Sequence, residues 1–189
     1  MPPPRTAIHA IVQNTSHPSW AQHPNLVRTL DQVDSSVFEH ELIVPLFRPA
    51  NRRQALQQAM QLGARRLGSI IDPTSTLPSR LAVGDGTFIN AGCTIGACSE
   101  IGRFAFINRG CSLGHHLSLG EFASIGPGVV IAGQVVIGSG AFIGAGAVVL
   151  PKITVGENAI ISAGVVVRQD VAPGVMLGAK KPERVSDDT

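Results

Sequence analysis

The stretch Ile125-Gly126-Pro127-Gly128-Val129-Val130-Ile131-Ala132-Gly133-Gln134-Val135-Val136-Ile137-Gly138-Ser139-Gly140-Ala141-Phe142-Ile143-Gly144 decides the fold. Isoleucine stands at 125, 131, 137 and 143, each followed by glycine or alanine. Working outward in both directions, an aliphatic residue returns at every sixth position from Ile71 to Val167. A helix repeats its buried face every 3.6 residues and a strand every second residue, so a period of six belongs to neither alone. It is an internal repeat, the mark of a stacked architecture. The reading is a hexapeptide β-helix: each hexad supplies one short parallel strand and one corner, and three hexads close a triangular coil of eighteen residues.

Residues one coil apart should then stack at strand spacing, roughly 4.8 Å. Ile71, Ile89, Ile107, Ile125, Ile143 and Ile161 make one column of isoleucine alone, while the columns through Leu77 and through Val83 mix Leu, Ile and Val. That sorting favours three hexads per turn over two or four. Glycines such as Gly84, Gly96, Gly102, Gly114, Gly120 and Gly126 fit tight corners, where a side chain would crowd the next coil or positive φ is needed. Period does not reveal handedness, and ordinary parallel crossovers are right-handed in roughly 98% of cases.

Composition fits one repeat domain with a smaller unit before it. The chain is 44% hydrophobic and only 4% aromatic, as expected where aliphatic and small side chains fill a narrow prism. A net charge of +2, dispersed along the chain, argues against nucleic acid as a partner. No secretory signal and no apolar run of roughly 18 residues is present, so neither export nor membrane insertion is expected and the protein reads as cytoplasmic. The boundaries predicted are 1–69 for a small truncated α/β unit, 70–170 for the β-helix and 171–189 for a C-terminal tail.

In the N-terminal unit, Ile8 to Val12 and Leu42 to Val44 with Leu46 and Phe47 read as buried strands, and Asn25 to Val33 as a short helix. A better helix runs from Asn51, as N-cap, to Leu62, with Leu56, Ala59 and Met60 as its apolar stripe and Gly63 ending it. Where a nucleotide-binding unit would carry a glycine-rich turn, the chain has Asn14-Thr15-Ser16-His17-Pro18. Cys93 and Cys111, one coil apart, read as core filler, with Cys98 at a corner. No zinc spacing exists and no metal is expected.

Reactive side chains are scarce in the prism, whose only histidines are His115 and His116. Acyl transfer from a thioester needs a base for the acceptor's proton and an N–H for the oxyanion. Imidazole suits the first task. One coil on from His115 lies Gly133, whose N–H is therefore predicted beside the imidazole. His115 is either that base or a solvated corner residue. Asn108, one coil above Asn90, is either part of an amide ladder or of an acceptor pocket. Lys152, Arg168, Lys180 and Lys181 are either solvated charge or contacts for coenzyme phosphates.

From Ile71-Asp72-Pro73 to Gly178 the chain resembles the sugar acetyltransferases of the left-handed β-helix class, the family of sialic acid O-acetyltransferases and of N-acetyltransferases acting on nucleotide-linked amino sugars. The Asn108-x6-His115 element carries the likeness. So do Ile125-Gly126-Pro127-Gly128, Ala132-Gly133 and the coil Ile143-Gly144-Ala145-Gly146-Ala147-Val148-Val149. The resemblance implies a left-handed coil and a homotrimer that takes acetyl-coenzyme A as co-substrate between neighbouring prisms. It implies His115 as base and Gly133, Ala145, Ala163 and Lys152 along the acetyl-coenzyme A site, with Asn108 and His116 toward a sugar or nucleotide-sugar acceptor. Where many members carry an acidic residue just before the base, this chain has Gly114. The expectation is an acetyltransferase working by direct transfer, with His116 pointing away from His115; the alternative is a non-catalytic β-helix scaffold or assembly subunit. A metal enzyme such as a γ-type carbonic anhydrase needs three converging histidines, and the prism has an adjacent pair.

Overall fold

The computed structural model describes residues 10–13 and 26–178. From Phe88 to Val167 each hexad contributes a two-residue strand whose second residue is the periodic aliphatic, pointing inward and buried, while the first coil is looser, with Ile71 exposed and the Leu77 hexad joined only by a bridge from Thr76 to Thr94. Pairing is parallel with a register of eighteen. Ile71 faces Ile89, Ile89 faces Ile107, Ile107 faces Ile125 and Ile125 faces Ile143 on the first face. Leu113 faces Ile131 on the second face and Leu119 faces Ile137 on the third. The isoleucine column is sealed, with Ile89, Ile107, Ile125, Ile143 and Ile161 at 0% exposure. Between the columns, Cys93, Ala105, Cys111, Ala123, Ala141, Ala147 and Ala159 fill the corners from inside.

The corner glycines resolve into two roles. At Gly96, Gly114 and Gly120 an added Cβ would meet the backbone of the next coil at 2.4–2.5 Å, so these positions are small for packing alone. Positive φ falls two residues later, and on the corner between the second and third faces it is taken by residues with side chains: Cys98 (59°), His116 (54°), Gln134 (62°) and Lys152 (63°).

The stacking runs past the boundary drawn at 170. Val171 bridges Val155, and the strand Met176–Leu177 pairs with Ile160–Ile161, so the last coil closes with a register of sixteen. Asp170 caps the shortened turn by accepting from the Thr154 N–H at 2.8 Å. Residues after 178 lie outside the described residues, Lys180 and Lys181 among them.

The N-terminal unit departs from its sequence reading. Its parallel strand pair is Ile11–Gln13 with Val27–Thr29, so the segment expected as a helix from Asn25 is a β-branched strand followed by a single 3-10 turn, Leu30–Gln32. The Asn14 to Pro18 turn lies outside the described residues. Around Leu42 only one bridge forms, to Leu67, because the following segment turns its Leu46 and Phe47 carbonyls toward a side chain instead of a ladder. The helix, α1, spans Pro49–Gln61. It starts at proline, whose fixed φ and missing N–H suit the first helical position, with Arg48 as N-cap. Asn51 is therefore inside the first turn and caps nothing. Gly63 (φ 112°) ends the helix as expected, but Met60 is exposed and the stripe is anchored by Leu56 and a buried arginine.

That arginine, Arg52, is 1% exposed and fastens α1 to the prism. Its guanidinium donates to the carbonyls of Phe104 (2.8 Å), Phe122 (2.7 Å) and Ala123 (3.2 Å) and to Ser124 Oγ (2.9 Å), and turns back onto Leu46 and Phe47. Ser124 Oγ in turn donates to the Phe47 carbonyl at 2.6 Å. Phenylalanines complete the joint: Phe47 packs on Phe106 and Phe142 at 5.4 and 5.0 Å, and Phe104 stacks on Phe122 at 4.9 Å. The N-terminal unit thus covers the first face and leaves the corner between the second and third faces open. Among the described residues no helix is long and apolar enough to cross a membrane.

Candidate active site

The open corner between the second and third faces carries His115 and His116. Gly114 enters it with its N–H on the Ile131 carbonyl at 2.7 Å. His115 follows, its carbonyl accepting from the Gln134 N–H at 2.8 Å, and His116 takes the left-handed conformation with its N–H on the Ala97 carbonyl at 2.9 Å. Histidine is among the side chains enriched in that region. The expectation that the two rings diverge is corrected here. Left-handed backbone at His116 swings its imidazole back onto its neighbour, so that the two Nδ1 atoms lie 2.8 Å apart with the rings nearly perpendicular (87°). Both rings are exposed, and among the described residues neither bonds a carboxylate.

Gly133 lies one coil on, as its spacing predicts. A β-carbon built there would stand 2.5 Å from Nε2 of His115 and 2.7 Å from Cε1. The imidazole therefore lies flat over the Gly133 α-carbon, in room that only glycine leaves. The Gly133 carbonyl accepts from the Lys152 N–H at 3.1 Å, while its own N–H donates no hydrogen bond among the described residues. Nε2 of an imidazole and an uncommitted backbone donor thus belong to one niche, the two kinds of group that acyl transfer requires.

The remaining predicted residues divide between two edges of the prism. Lys152 is exposed on the His115 edge, two coils beyond His116. Ala145 and Ala163 are exposed on the edge between the first and second faces, where they line a groove with Phe47, Arg53, Phe142 and Ile160. Within one chain the structure does not bring them to His115. Asn108 lies on that same distant edge and forms the amide ladder: its Oδ1 accepts from Asn90 Nδ2 at 3.3 Å and from the Arg109 N–H at 2.9 Å. Its carbonyl takes the thiols of Cys93 (3.0 Å) and Cys111 (2.9 Å). The hydrogen bond to Cys93, then burial, push the Cys111 thiol up, in keeping with a packed, inert group. Cys98 is exposed at its corner. Sequence reasoning missed the contact between the two histidines. Its only sequence signal was that they occupy successive corner positions.

The bacterial transferase hexapeptide family, defined by six repeats, matches residues 134–169. Among solved structures, PerB from Caulobacter crescentus in complex with CoA and GDP-perosamine is 33% identical, with a TM-score of 0.70 over 74% of this chain and 67% of that one. A mutant perosamine N-acetyltransferase from the same organism, also with CoA and GDP-perosamine, is 32% identical over 74% of this chain and 66% of that one, with a TM-score of 0.70. The acetyltransferase domain of PglB from Neisseria gonorrhoeae is 26% identical over 77% of this chain and 70% of that one, with a TM-score of 0.69. The chain spans about two thirds of the length of the Caulobacter proteins. No curated protein sequence matches it.

Proposed function

The chain belongs to the hexapeptide-repeat sugar acetyltransferases, built on a left-handed parallel β-helix, and from that premise we propose that it moves the acetyl group of acetyl-coenzyme A directly onto a sugar amine or hydroxyl. The amine leads, because relatives include a perosamine N-acetyltransferase with GDP-perosamine bound. On this reading the acceptor is a nucleotide-linked or free amino sugar, and the reaction takes place in the cytoplasm.

One observation carries the mechanism: Nε2 of His115 sits over Gly133, whose N–H is uncommitted. His115 withdraws the proton from the acceptor as its nitrogen or oxygen attacks the thioester carbonyl. The Gly133 N–H holds the tetrahedral oxyanion, a contact that gains most as charge develops. Collapse breaks the carbon–sulfur bond, and the proton on His115 leaves with the coenzyme thiol. No acyl-enzyme is invoked. A scaffold would need neither the imidazole nor the glycine beneath it.

We place acetyl-coenzyme A between two copies. Ala145 and Ala163 line one edge while His115, Gly133 and Lys152 line another, so a coenzyme touching both sets requires the groove of one prism against the histidine edge of the next. A closed trimer provides three such sites by symmetry. The test is thiol release from acetyl-coenzyme A with a panel of GDP- and UDP-linked amino sugars, free amino sugars and sialic acids. Release with at least one acceptor, abolished by His115→Ala, is expected. Binding of acetyl-coenzyme A without acceptor-dependent release from any of them would overturn the reading.

A further inference from the structure

The family base is expected beside a carboxylate, and this corner offers none. Gly114 precedes His115, and an added Cβ there would lie 2.5–2.7 Å from the backbone of Ala132 and Gly133, so the coil leaves no room for an acidic side chain at that position. What His115 meets instead is His116, at 2.8 Å between Nδ1 atoms. A hydrogen bond between two Nδ1 atoms needs one ring to donate and the other to accept, which ties the tautomers of the two rings together. If His115 donates, its Nδ1 carries the hydrogen and its Nε2 is the bare nitrogen lying over Gly133. If His116 donated, Nε2 of His115 would carry the hydrogen and no base would face the niche.

We infer that His116 is a positioning residue: its Nδ1 accepts from the Nδ1–H of His115, holding that ring over Gly133 in the tautomer whose Nε2 is free to take the acceptor's proton. Three features of the corner support this assignment. The bond length is that of a well-formed hydrogen bond. The left-handed backbone at His116, stacked in register with Cys98, Gln134 and Lys152, fixes the direction from which its ring approaches. The near-perpendicular rings do not stack, so no π-stacking competes with the bond between the two nitrogens. The role is the one that a carboxylate plays for the base of a hydrolytic triad, here given to a neutral acceptor. When His115 takes up the acceptor's proton at Nε2, its Nδ1–H becomes a charged donor and the bond to His116 strengthens, so the interaction favours the transition state over the resting enzyme.

The inference rests on the proposed acetyl transfer for its kinetic arm only; its structural arm stands apart. In the ligand-free protein, long-range proton–nitrogen correlation spectra of the imidazoles report the tautomers directly. The expected result is His115 with hydrogen on Nδ1 and His116 with hydrogen on Nε2, with His115 losing that preference in His116→Leu. His115 with hydrogen on Nε2 in the wild-type protein would overturn the assignment whatever the enzyme acetylates.

In the kinetic arm, His116→Asn keeps an acceptor oxygen where Nδ1 stood and suits a left-handed backbone, whereas His116→Gln shifts it by one bond and His116→Leu removes it. His116→Leu and His116→Gln should lower kcat at least about tenfold, with KM for acetyl-coenzyme A and acceptor changed less than about twofold, and His116→Asn should recover most of the loss. A rise in KM for the acceptor alone would make His116 a substrate contact, and equal impairment of all three variants would make it merely structural. Either outcome refutes the positioning role. Absence of any thiol release in the wild type, with the tautomers as expected, would instead sink the proposed reaction and leave the pair intact.

Discussion

Nε2 of His115 occupies the space that a β-carbon on Gly133 would need, 2.5 Å from where that carbon would stand. The conflict is with the far end of an exposed side chain, so it is relieved by swinging the ring away and not by moving backbone. Gly133→Ala should therefore leave the melting temperature unchanged and still lower turnover roughly hundredfold, the cost of misplacing a reacting group by about an ångström. Thermal melts beside steady-state kinetics test this, and a fully active alanine variant would show that the imidazole need not lie over the glycine.

The proposed sharing of each site between two copies makes a sharp prediction about mixtures. His115→Ala should lose roughly 10²- to 10⁴-fold in turnover, the usual worth of a general base. Ala163→Trp should block the groove on the other edge. Unfolding and refolding the two inactive variants together at equal amounts should restore about a quarter of wild-type activity, since half the histidine edges are intact and half of those meet an intact groove in a symmetric trimer. A mixture as inactive as its parts would place the whole site within one chain.

Arg52 is bound by carbonyls from both the N-terminal segment and the prism, so its loss strands several buried acceptors at once. Arg52→Ala should destabilise the docking of the N-terminal unit by about 3 kcal/mol or more, given the worth of hydrogen bonds to a charged group. Lysine, with a point charge in place of a planar fork, should recover little of it. Limited proteolysis should then cut ahead of the prism while the prism itself resists. An unchanged digestion pattern for Arg52→Ala would count against the tether.

Ile107 and Ile125 are neighbours in the sealed isoleucine column. Replacing either with aspartate buries a carboxylate with no partner, at a cost of several kcal/mol against a total stability of roughly 5–15 kcal/mol. Circular dichroism should show the coil stack lost or melting far lower. An unaltered melting curve would contradict the inward column.

The prism was legible because its rule is one-dimensional: each inward residue meets only its equivalents one coil away, so sequence spacing is also spatial order. Register, the buried cysteines and the approach of His115 to Gly133 all follow from counting eighteen. Where the rule stops, legibility stops too. The sixteen-residue last coil depends on Asp170 meeting the Thr154 N–H, and the N-terminal unit depends on Arg52, a residue that reads in sequence as solvated charge. One signal was present and unread. Outward strand positions of the first face carry Phe88, Phe106 and Phe142, whereas those of the other two faces hold alanine, valine and polar residues and no aromatic, which marks the first face as the covered one. The contact between His115 and His116 depends on a left-handed corner at a residue other than glycine, and spacing does not encode that.

None of the groups that hold Arg52 titrates: they are five backbone carbonyls and one hydroxyl. Burial, with a smaller push from Arg53, pulls the guanidinium down to about 10, so at neutral and acid pH it stays charged. A base whose folded value is lowered imposes a constant cost on folding below that value, and the cost recedes only as the pH rises beyond it. Acid, which dissolves joints built on carboxylates by protonating them, therefore has no handle on this one. The seam between helix and prism should stay shut in conditions that part a salt-bridged interface, and it should ignore added salt for the same reason, being shielded from the ions that would screen it.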